Sequence, residues 1–554
     1  MSLAEARTAA MAVTRLLPLA TLALASPAQD RLFVQVPTSP ALQAWETEQR
    51  AADPYIERIE YVRIDQAVLA RIDEGSHPTN RVQMSALGKT IDLDFHKVRR
   101  IHVGHTVFHA NVVGDQDGWF VIAREDFPLV AANTAYGGHT QFGDVGQVST
   151  AGCNLLLQST GIGDTHAVFE WDRPETESAA GDCGTPDEVE GPRPGPGAAG
   201  GEHRDPAFAH RTASVTVIDV AVHFTTRAKQ LGGGAAGMAA TMAARLGVSN
   251  RAAANSGVQH EFRLVYNAEW VYAESSSMST DLSRFRNNAG VQNVAELFGG
   301  DFNMCIRSTR GGACGIATGI RTSTSRAYCI ASRTCFGQHS DTHEMGHLAG
   351  CGHDRGNGSG FYSYSHGDHN PGFSRRSIMA YTPGPRVNQW SSDPARGFLY
   401  GGQVLGTPND DNARSNNDTA AYNSGLRPTR AYYWQAVGGT GVAGSSGKPR
   451  VTFRGTTNQA VPIEATIDRL VPGATSAIVF GGSCASSPFL AGTLVTGAPL
   501  LVLPLTPAGS SVTIDLAAVT SLATGTVLAI QYVGLDAGAA RGVSVSDGVK
   551  VEIP

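Results

Sequence analysis

The stretch His343-Glu344-Met345-Gly346-His347-Leu348-Ala349-Gly350-Cys351-Gly352-His353-Asp354 constrains this chain more than any other. On a helix, histidines four apart differ by about 40° of rotation, so His343 and His347 share one face. Two imidazoles placed in this way suit a tetrahedral Zn2+. Glu344 points elsewhere, but it can reach a water at the metal's open position. Gly350 lets the backbone turn sharply, as a helix-ending glycine does, and the turn brings His353 round as a third nitrogen ligand. Ordinary residue usage gives such a string by chance on the order of once in ten thousand chains of this length. The bland alternative is a solvent-facing helix that merely carries His and Glu, and those odds leave it little weight.

Downstream, Ser377-Ile378-Met379-Ala380-Tyr381 lies where a methionine turn would pass beneath such a zinc site. Together the two motifs resemble the metzincin metallopeptidases, over about Ser214 to Arg427, and especially the reprolysin-like bacterial branch. His353-Asp354 matches the reprolysin habit of an Asp after the third histidine. Ser-Ile-Met-Ala-Tyr is similar to the astacin and serralysin turn, in which a Tyr two residues past Met approaches the zinc. The combination most resembles the secreted bacterial peptidyl-Asp metallopeptidases, and Asn412 to Ala420 resembles their closing helix. The resemblance implies one catalytic Zn2+ on His343, His347 and His353, with Asp354 supporting the ligands. It further implies Met379 as an apolar floor and Tyr381 as the oxyanion donor.

Three neutral imidazoles would leave the ion its charge and draw the pKa of its water towards about 7. Glu344 would take that water's proton as general base and deliver it to the leaving amine. The resemblance also implies an edge strand that holds the substrate extended, and the stretch just before Cys335 is expected to be that strand. Peptidyl-Asp metallopeptidases favour acidic residues beside the cut. Arg375, Arg376 and Arg386 flank the methionine turn and are candidate cations for that purpose, against a plainer reading as solvated surface arginines.

A length of 554 residues points to three or four domains with sizeable cores. The net charge of −6 is mild, and nothing basic and aromatic-rich suggests a nucleic-acid partner. Arg15 precedes the apolar run Leu16 to Ala25, followed by Ser26-Pro27-Ala28. Residues 1–28 therefore read as a secretory signal peptide. No other run is apolar and long enough to span a bilayer. The expectation is an exported monomer acting on protein or peptide substrates. Export permits disulfides among Cys153, Cys183, Cys305, Cys314, Cys329, Cys335, Cys351 and Cys484. Cys305 with Cys314, and Cys329 with Cys335, are plausible short loops.

In order, residues 29–173 alternate in the β manner. Thr90 to Phe95 and Gly118 to Ala123 are strand candidates there, with a helix over Ile64 to Ile72. Their position suggests a β-rich propeptide. Residues 174–212 read as an exposed acidic, Pro- and Gly-rich linker, with Arg204 and Arg211 as candidate processing sites. Residues 213–435 read as an α/β catalytic domain with a mixed sheet. Its expected strands are Ser214 to Phe224, Val258 to Tyr266 and Asp301 to Ile306, and its expected helices Ala235 to Leu246 and Val291 to Phe298. His366 and His369, between the two motifs, are either loop histidines or ligands of another metal. A structural Ca2+ is left open, with no ligand set assigned to it. Residues 436–554 shift to Gly, Ala, Val, Thr and Leu between turn signals, which suggests a β-sandwich-like module.

Within the linker, Gly181-Asp182-Cys183-Gly184-Thr185 resembles the Cys-Gly step of reprolysin propeptides, whose thiolate takes the zinc's open position. Asp182 departs from that pattern, since a basic residue often stands there. A disulfide from Cys183 to Cys153 is the competing expectation. At the level of function, a latent zinc endopeptidase competes with an inactive metzincin-fold binding or adhesion protein, and the intact ligands and Glu344 count against the second.

Overall fold

The computed structural model describes residues 30–553 apart from 126–144, 172–182, 186–214, 371–374, 382–385, 392–403, 458–462, 517–521 and shorter stretches of one to three residues. The expected signal peptide, Arg204, Arg211 and most of the linker lie outside the described residues.

From Phe33–Gln35 to His166–Trp171, nine strands form an antiparallel sheet. Its two end strands meet through Leu32 N–H donating to Gln83 O and Gln83 N–H to Asp30 O, both 2.8 Å, so the sheet closes on itself. Strand alternation then sorts side chains to two faces. Phe108, Phe120, Ile122, Leu155 and Leu157 point inward onto the helix Gln66–Asp73, through Val68, Leu69 and Ile72. Val107, Trp119, Val121 and Ala123 point outward and are also buried. A strand covered on both faces reads as a continuous apolar run, and Trp119 to Ala123 is one. The helix Pro40–Ala52, which the expectations omitted, packs Leu42 and Trp45 on the outer face against Leu156 and Phe169.

The middle of the chain builds a five-stranded sheet in the order His260–Trp270, Thr216–Thr225, Phe302–Arg307, Tyr328–Ser332, Gly315–Ala317. The first three neighbour pairs are parallel and the last is antiparallel. The expected edge is not where the chain places it. The stretch before Cys335 is an internal strand, and Gly315–Ala317 forms the edge. The short hairpin from Gly315 to Ser332 folds its first strand outside its second, a reversal that strand order in the sequence does not reveal.

The expected short loops Cys305–Cys314 and Cys329–Cys335 do not form. Cys314 pairs with Cys335, their Cα atoms 5.6 Å apart, while Cys305 and Cys329 are free. On adjacent strands Cys305 sits opposite Ile330 and Met304 opposite Cys329, so the two thiols point to opposite faces of the sheet. Cys183 is also free, which leaves the alternative bond to Cys153 unmade.

The helix Gly234–Asn255 lies against this sheet and runs nine residues beyond the expected Leu246. Gly247, Ser249 and Asn250 are weak helix formers, but burial of Gly247, Val248, Ser249, Ala252 and Ala253 carries the helix through them. Met238 and Met242 are core residues of this helix. On the sheet's other face a smaller core holds Met278, Phe285, Val291, Cys305, Tyr328 and Ile330.

At the C-terminal end, Tyr433–Val437 straddles the expected boundary at 435/436 and pairs with Gly548–Glu552 in a six-stranded sheet. A three-stranded sheet of Arg450–Arg454, Glu464–Asp468 and Ser511–Asp515 shares one core with it, including Trp434, Phe453, Ile467, Ile530 and Val551. Among the described residues, no helix is long and apolar enough to cross a membrane.

Candidate metal centre

The helix Ser340–Leu348 carries the first two histidines. It starts after His339, whose backbone is left-handed with φ 56°, and its first turn holds Asp341. Arg245 of the long helix clamps that carboxylate with two hydrogen bonds, Nε to Oδ2 at 2.8 Å and Nη2 to Oδ1 at 2.6 Å. Both side chains are buried, so the pair fixes one helix against the other. Nothing in the sequence couples residues so far apart, and the expectations missed it. The helix stops at Gly350, with φ +97°, a conformation that glycine adopts without strain. The chain then doubles back to His353.

Three ring nitrogens converge. His343 Nε2 and His347 Nε2 are 3.2 Å apart, His343 Nε2 and His353 Nε2 are 3.3 Å apart, and His347 Nε2 and His353 Nε2 are 3.0 Å apart. Tetrahedral ligands about 2.0–2.1 Å from zinc would stand roughly 3.3 Å from each other. Each Nδ1 faces a backbone carbonyl: Ile378 O at 2.8 Å, Cys351 O at 3.0 Å and Asn357 O at 3.3 Å respectively. This arrangement puts the proton on Nδ1 and leaves each Nε2 lone pair for a metal. Burial holds His343 and His347 well below the usual histidine range, aided by the nearby Arg386 charge, so both are neutral as ligands must be. The donor set therefore fits zinc.

The turn Ser377–Tyr381 lies beneath. Met379 and Trp390 are fully buried, and any side chain at Gly346 would run into both. Asp354 ties the turn to the third histidine: Tyr381 N–H donates to its Oδ1 at 2.9 Å, and Asn357 Nδ2 to its Oδ2 at 2.7 Å. The Tyr381 ring lies tilted against that of His353, centroids 4.1 Å apart.

The fourth corner is filled from the linker. Cys183 Sγ lies 3.4 Å from His347 Nε2 and 3.6 Å from Glu344 Oε2. Its sulfur and the three Nε2 atoms all lie within 4.8 Å of one another, and this is the only such cluster among the described residues. Among the described residues no second set forms around His366, whose Nδ1 meets His353 O at 3.0 Å, and the side chain of His369 lies outside the described residues. Cys183 bridges Gly315 in parallel fashion, with Gly184 N–H donating to Gly315 O at 2.9 Å. Thr185, which the expectations did not single out, accepts from Ala317 N–H at 2.7 Å and donates to Glu344 Oε2 at 2.8 Å. Tyr381 Oη donates to Cys183 O at 3.3 Å.

Burial pushes the Glu344 carboxyl up to about 8, against the lowering effect of its bonds to Thr185 and Cys183. Burial, with the Glu344 charge beside it, pushes the Cys183 thiol well up. A cation among the imidazoles would draw both groups back towards their charged forms. Arg376 and Arg386 are buried rather than solvated. Arg386 Nη1 donates to Gln338 O at 3.1 Å and Arg376 Nη1 to Ala380 O at 3.1 Å. Arg375 is half-buried.

Residues 211–391 match the reprolysin-type model of metallo-peptidase family M12. A peptidyl-Asp metalloendopeptidase of Stenotrophomonas maltophilia is 32% identical over 158 residues, covering 26% of this chain and 38% of that protein. Another, from Xanthomonas campestris pv. campestris, is 31% identical over 169 residues, covering 28% and 39%. The chain thus spans about two fifths of the length of the curated relatives it matches. A solved chaperone–substrate complex covers 39% of this chain and 36% of its own at 22% identity and TM-score 0.33, too low to bear on the fold.

Proposed function

We propose, from the match of residues 211–391 to the reprolysin-type model of metallo-peptidase family M12, that the chain is a secreted zinc metalloendopeptidase made as a latent precursor. One observation carries the reading: three buried Nε2 atoms converge at ligand spacing with Glu344 beside them. His343, His347 and His353 would hold one Zn2+, which when bound supplies an electrophile and an acidified water.

This chain's own groups do the rest. Glu344 removes the water proton and returns it to the leaving amine. Tyr381 Oη, which now donates to the Cys183 carbonyl, is free to donate to a substrate oxyanion once the prosegment leaves. The backbone of Gly315–Ala317 offers an edge on which an extended peptide can lie, as Gly184 does. Residues 29–173 act as a propeptide. Cys183 provides latency by completing the donor set, and Thr185 adds to it by engaging the general base.

The relatives are named for peptidyl-Asp cleavage, and a preference for acidic side chains beside the cut requires a nearby cation. Arg386 is our choice, because its charge acts on Glu344, Cys183 and Tyr381 alike. Arg375 and Arg376 are the less direct candidates.

The test is metal analysis and peptide digestion by the processed protein. One zinc per chain and casein hydrolysis that a chelator abolishes are expected. A processed protein that binds zinc and leaves peptides intact would overturn the reading. Mapping of cleavage sites by mass spectrometry then decides the acidic preference.

A further inference from the structure

The outer face of the N-terminal barrel and the long helix Gly234–Asn255 share one hydrophobic core. Val107, Trp119, Val121 and Ala123 on the barrel side join Met238, Met242, Ala243 and Leu246 on the helix side. Each of the four barrel residues is at most 2% exposed. The long helix is buried nearly all round, one side on the catalytic sheet and the other on the barrel. Separating the two bodies would bare contiguous apolar surface on both.

The fit is as close as inside a domain. A Cβ on Gly247 would stand 3.1 Å from a methyl of Val107 and 3.1 Å from one of Val121, so glycine lets these strands touch the helix backbone. Beside this apolar contact lies a buried polar one. Arg333 Nη2 donates to Gln49 Oε1, to Gln158 Oε1 at 3.1 Å and to Leu231 O at 3.2 Å. Gln49 Nε2 and Gln158 Nε2 both donate to the same Leu231 carbonyl, at 2.8 and 2.6 Å. At the far end the Trp119 ring lies 6.3 Å from that of His339, at the start of the active-site helix. A contact of this kind, apolar at its centre with Gln49, Gln158 and Arg333 hydrogen-bonded together beside it, is that of an obligate pair.

We propose that the barrel, residues 30–171, is a permanent partner of the metallopeptidase domain rather than a piece discarded on processing. A cut between residues 186 and 213 then leaves the barrel docked, and Cys183 still joined to Trp171 through residues 172–182. A thiol so tethered keeps an effective concentration on the order of millimolar at the metal centre. The cleft opens only after a second cut, among residues 172–182, that frees the short Cys183–Thr185 segment from its anchor. This deepens, and rests on, the latency proposed above.

The experiment separates docking from activity. On a Glu344→Gln background, residues 198–202 are replaced by the recognition sequence of a site-specific protease and the purified precursor is cut. The two fragments are expected to co-elute as one species at micromolar concentration in size-exclusion chromatography, and separate elution would overturn the proposal. With Glu344 intact and a second recognition sequence in place of 174–179, the single cut should leave peptidase activity at the precursor's level. The double cut should raise it at least tenfold with the barrel still co-eluting. Full activity after the single cut would overturn the two-cut order. Inactivity of every form, Cys183→Ala precursor included, would instead overturn the peptidase reading, while co-elution still decides whether the barrel is a permanent partner.

Discussion

The N-terminal region meets the proposed metallopeptidase domain in two places that differ in kind. The barrel contact is broad and apolar, with side chains such as Val121 and Met242 that have no chemistry to offer. The cleft contact is three residues long, and each has a task there. Cys183 faces the imidazoles, Gly184 pairs with Gly315, and Thr185 bridges Ala317 and Glu344. Under the proposed latency, holding on and shutting off are assigned to separate surfaces. The apolar one contributes affinity in proportion to its area, and the polar one contributes little affinity but covers Glu344 and the imidazoles.

The largest effect should come from the group that the cleft contact covers. Glu344→Gln in the processed enzyme should keep its zinc and lose about 10²–10⁴-fold in turnover. Equal metal content with substantial turnover would remove Glu344 from the chemistry, whereas His353→Ala should weaken metal binding itself.

Breaking the small contact alone comes next. Cys183→Ala in the uncut precursor should raise its peptidase activity by roughly 10²-fold, the gain expected from removing a tethered ligand. Thermal stability should hardly change, because the barrel contact is untouched. A precursor as silent as the parent would dissociate the thiol from latency.

Breaking the broad contact should do the converse. Val121→Asp places a charge in a fully buried site and should destabilise the precursor by about 3–4 kcal/mol, read as a lower melting temperature. If stability held, the two bodies would be independent.

Acid sharpens the comparison further, since buried neutral histidines lie in both bodies. Burial pushes His166 of the barrel down to about 4, and His223 and His260 of the catalytic sheet to about 3 and 4. Below the unfolded pKa of about 6.5 the unfolded chain takes up protons that the folded one refuses, so stability falls as pH drops from there towards 4. By pH 5 the loss should be about 2 kcal/mol per histidine, and the metallopeptidase sheet, with two, should suffer more. Denaturant titrations at pH 7.5 and pH 5, repeated with His166→Gln, would show no difference if these sites were hydrated.

The smallest change is Thr185→Val. It removes the bond to Glu344 and leaves Ala317 N–H without its partner, a cost of about 1–2 kcal/mol to the closed state. The precursor's basal activity should rise about tenfold, well short of Cys183→Ala. No change would limit Thr185 to packing.

Much of this molecule was legible in one dimension, because local rules reach that far. The helix under His343 and His347 and the stop at Gly350 follow from spacing within a few residues, and the turn at Met379 from a motif's resemblance. The strands at Lys89–Ile101 and Trp119–Glu125 follow from spacing as well. The helix Pro40–Ala52 was readable as well. Ser39 caps it by accepting from Leu42 N–H at 3.3 Å and Pro40 opens it, a start signal that the expectations passed over.

The sequence by itself determined which residues could bind a metal, since a helix and a glycine turn bring ligands together over a dozen positions. Tertiary structure alone decided the rest. It put Gly315–Ala317 rather than Tyr328–Ser332 at the sheet edge, and it paired Cys314 with Cys335. Arg245 was brought to Asp341, and Thr185 to Glu344. The barrel's outer apolar face was laid on the long helix. The physical reason is common to all of these. Periodicity says that a side chain will be buried, but the partner it is buried against is chosen by long-range chain closure, whose cost and reward depend on the whole fold.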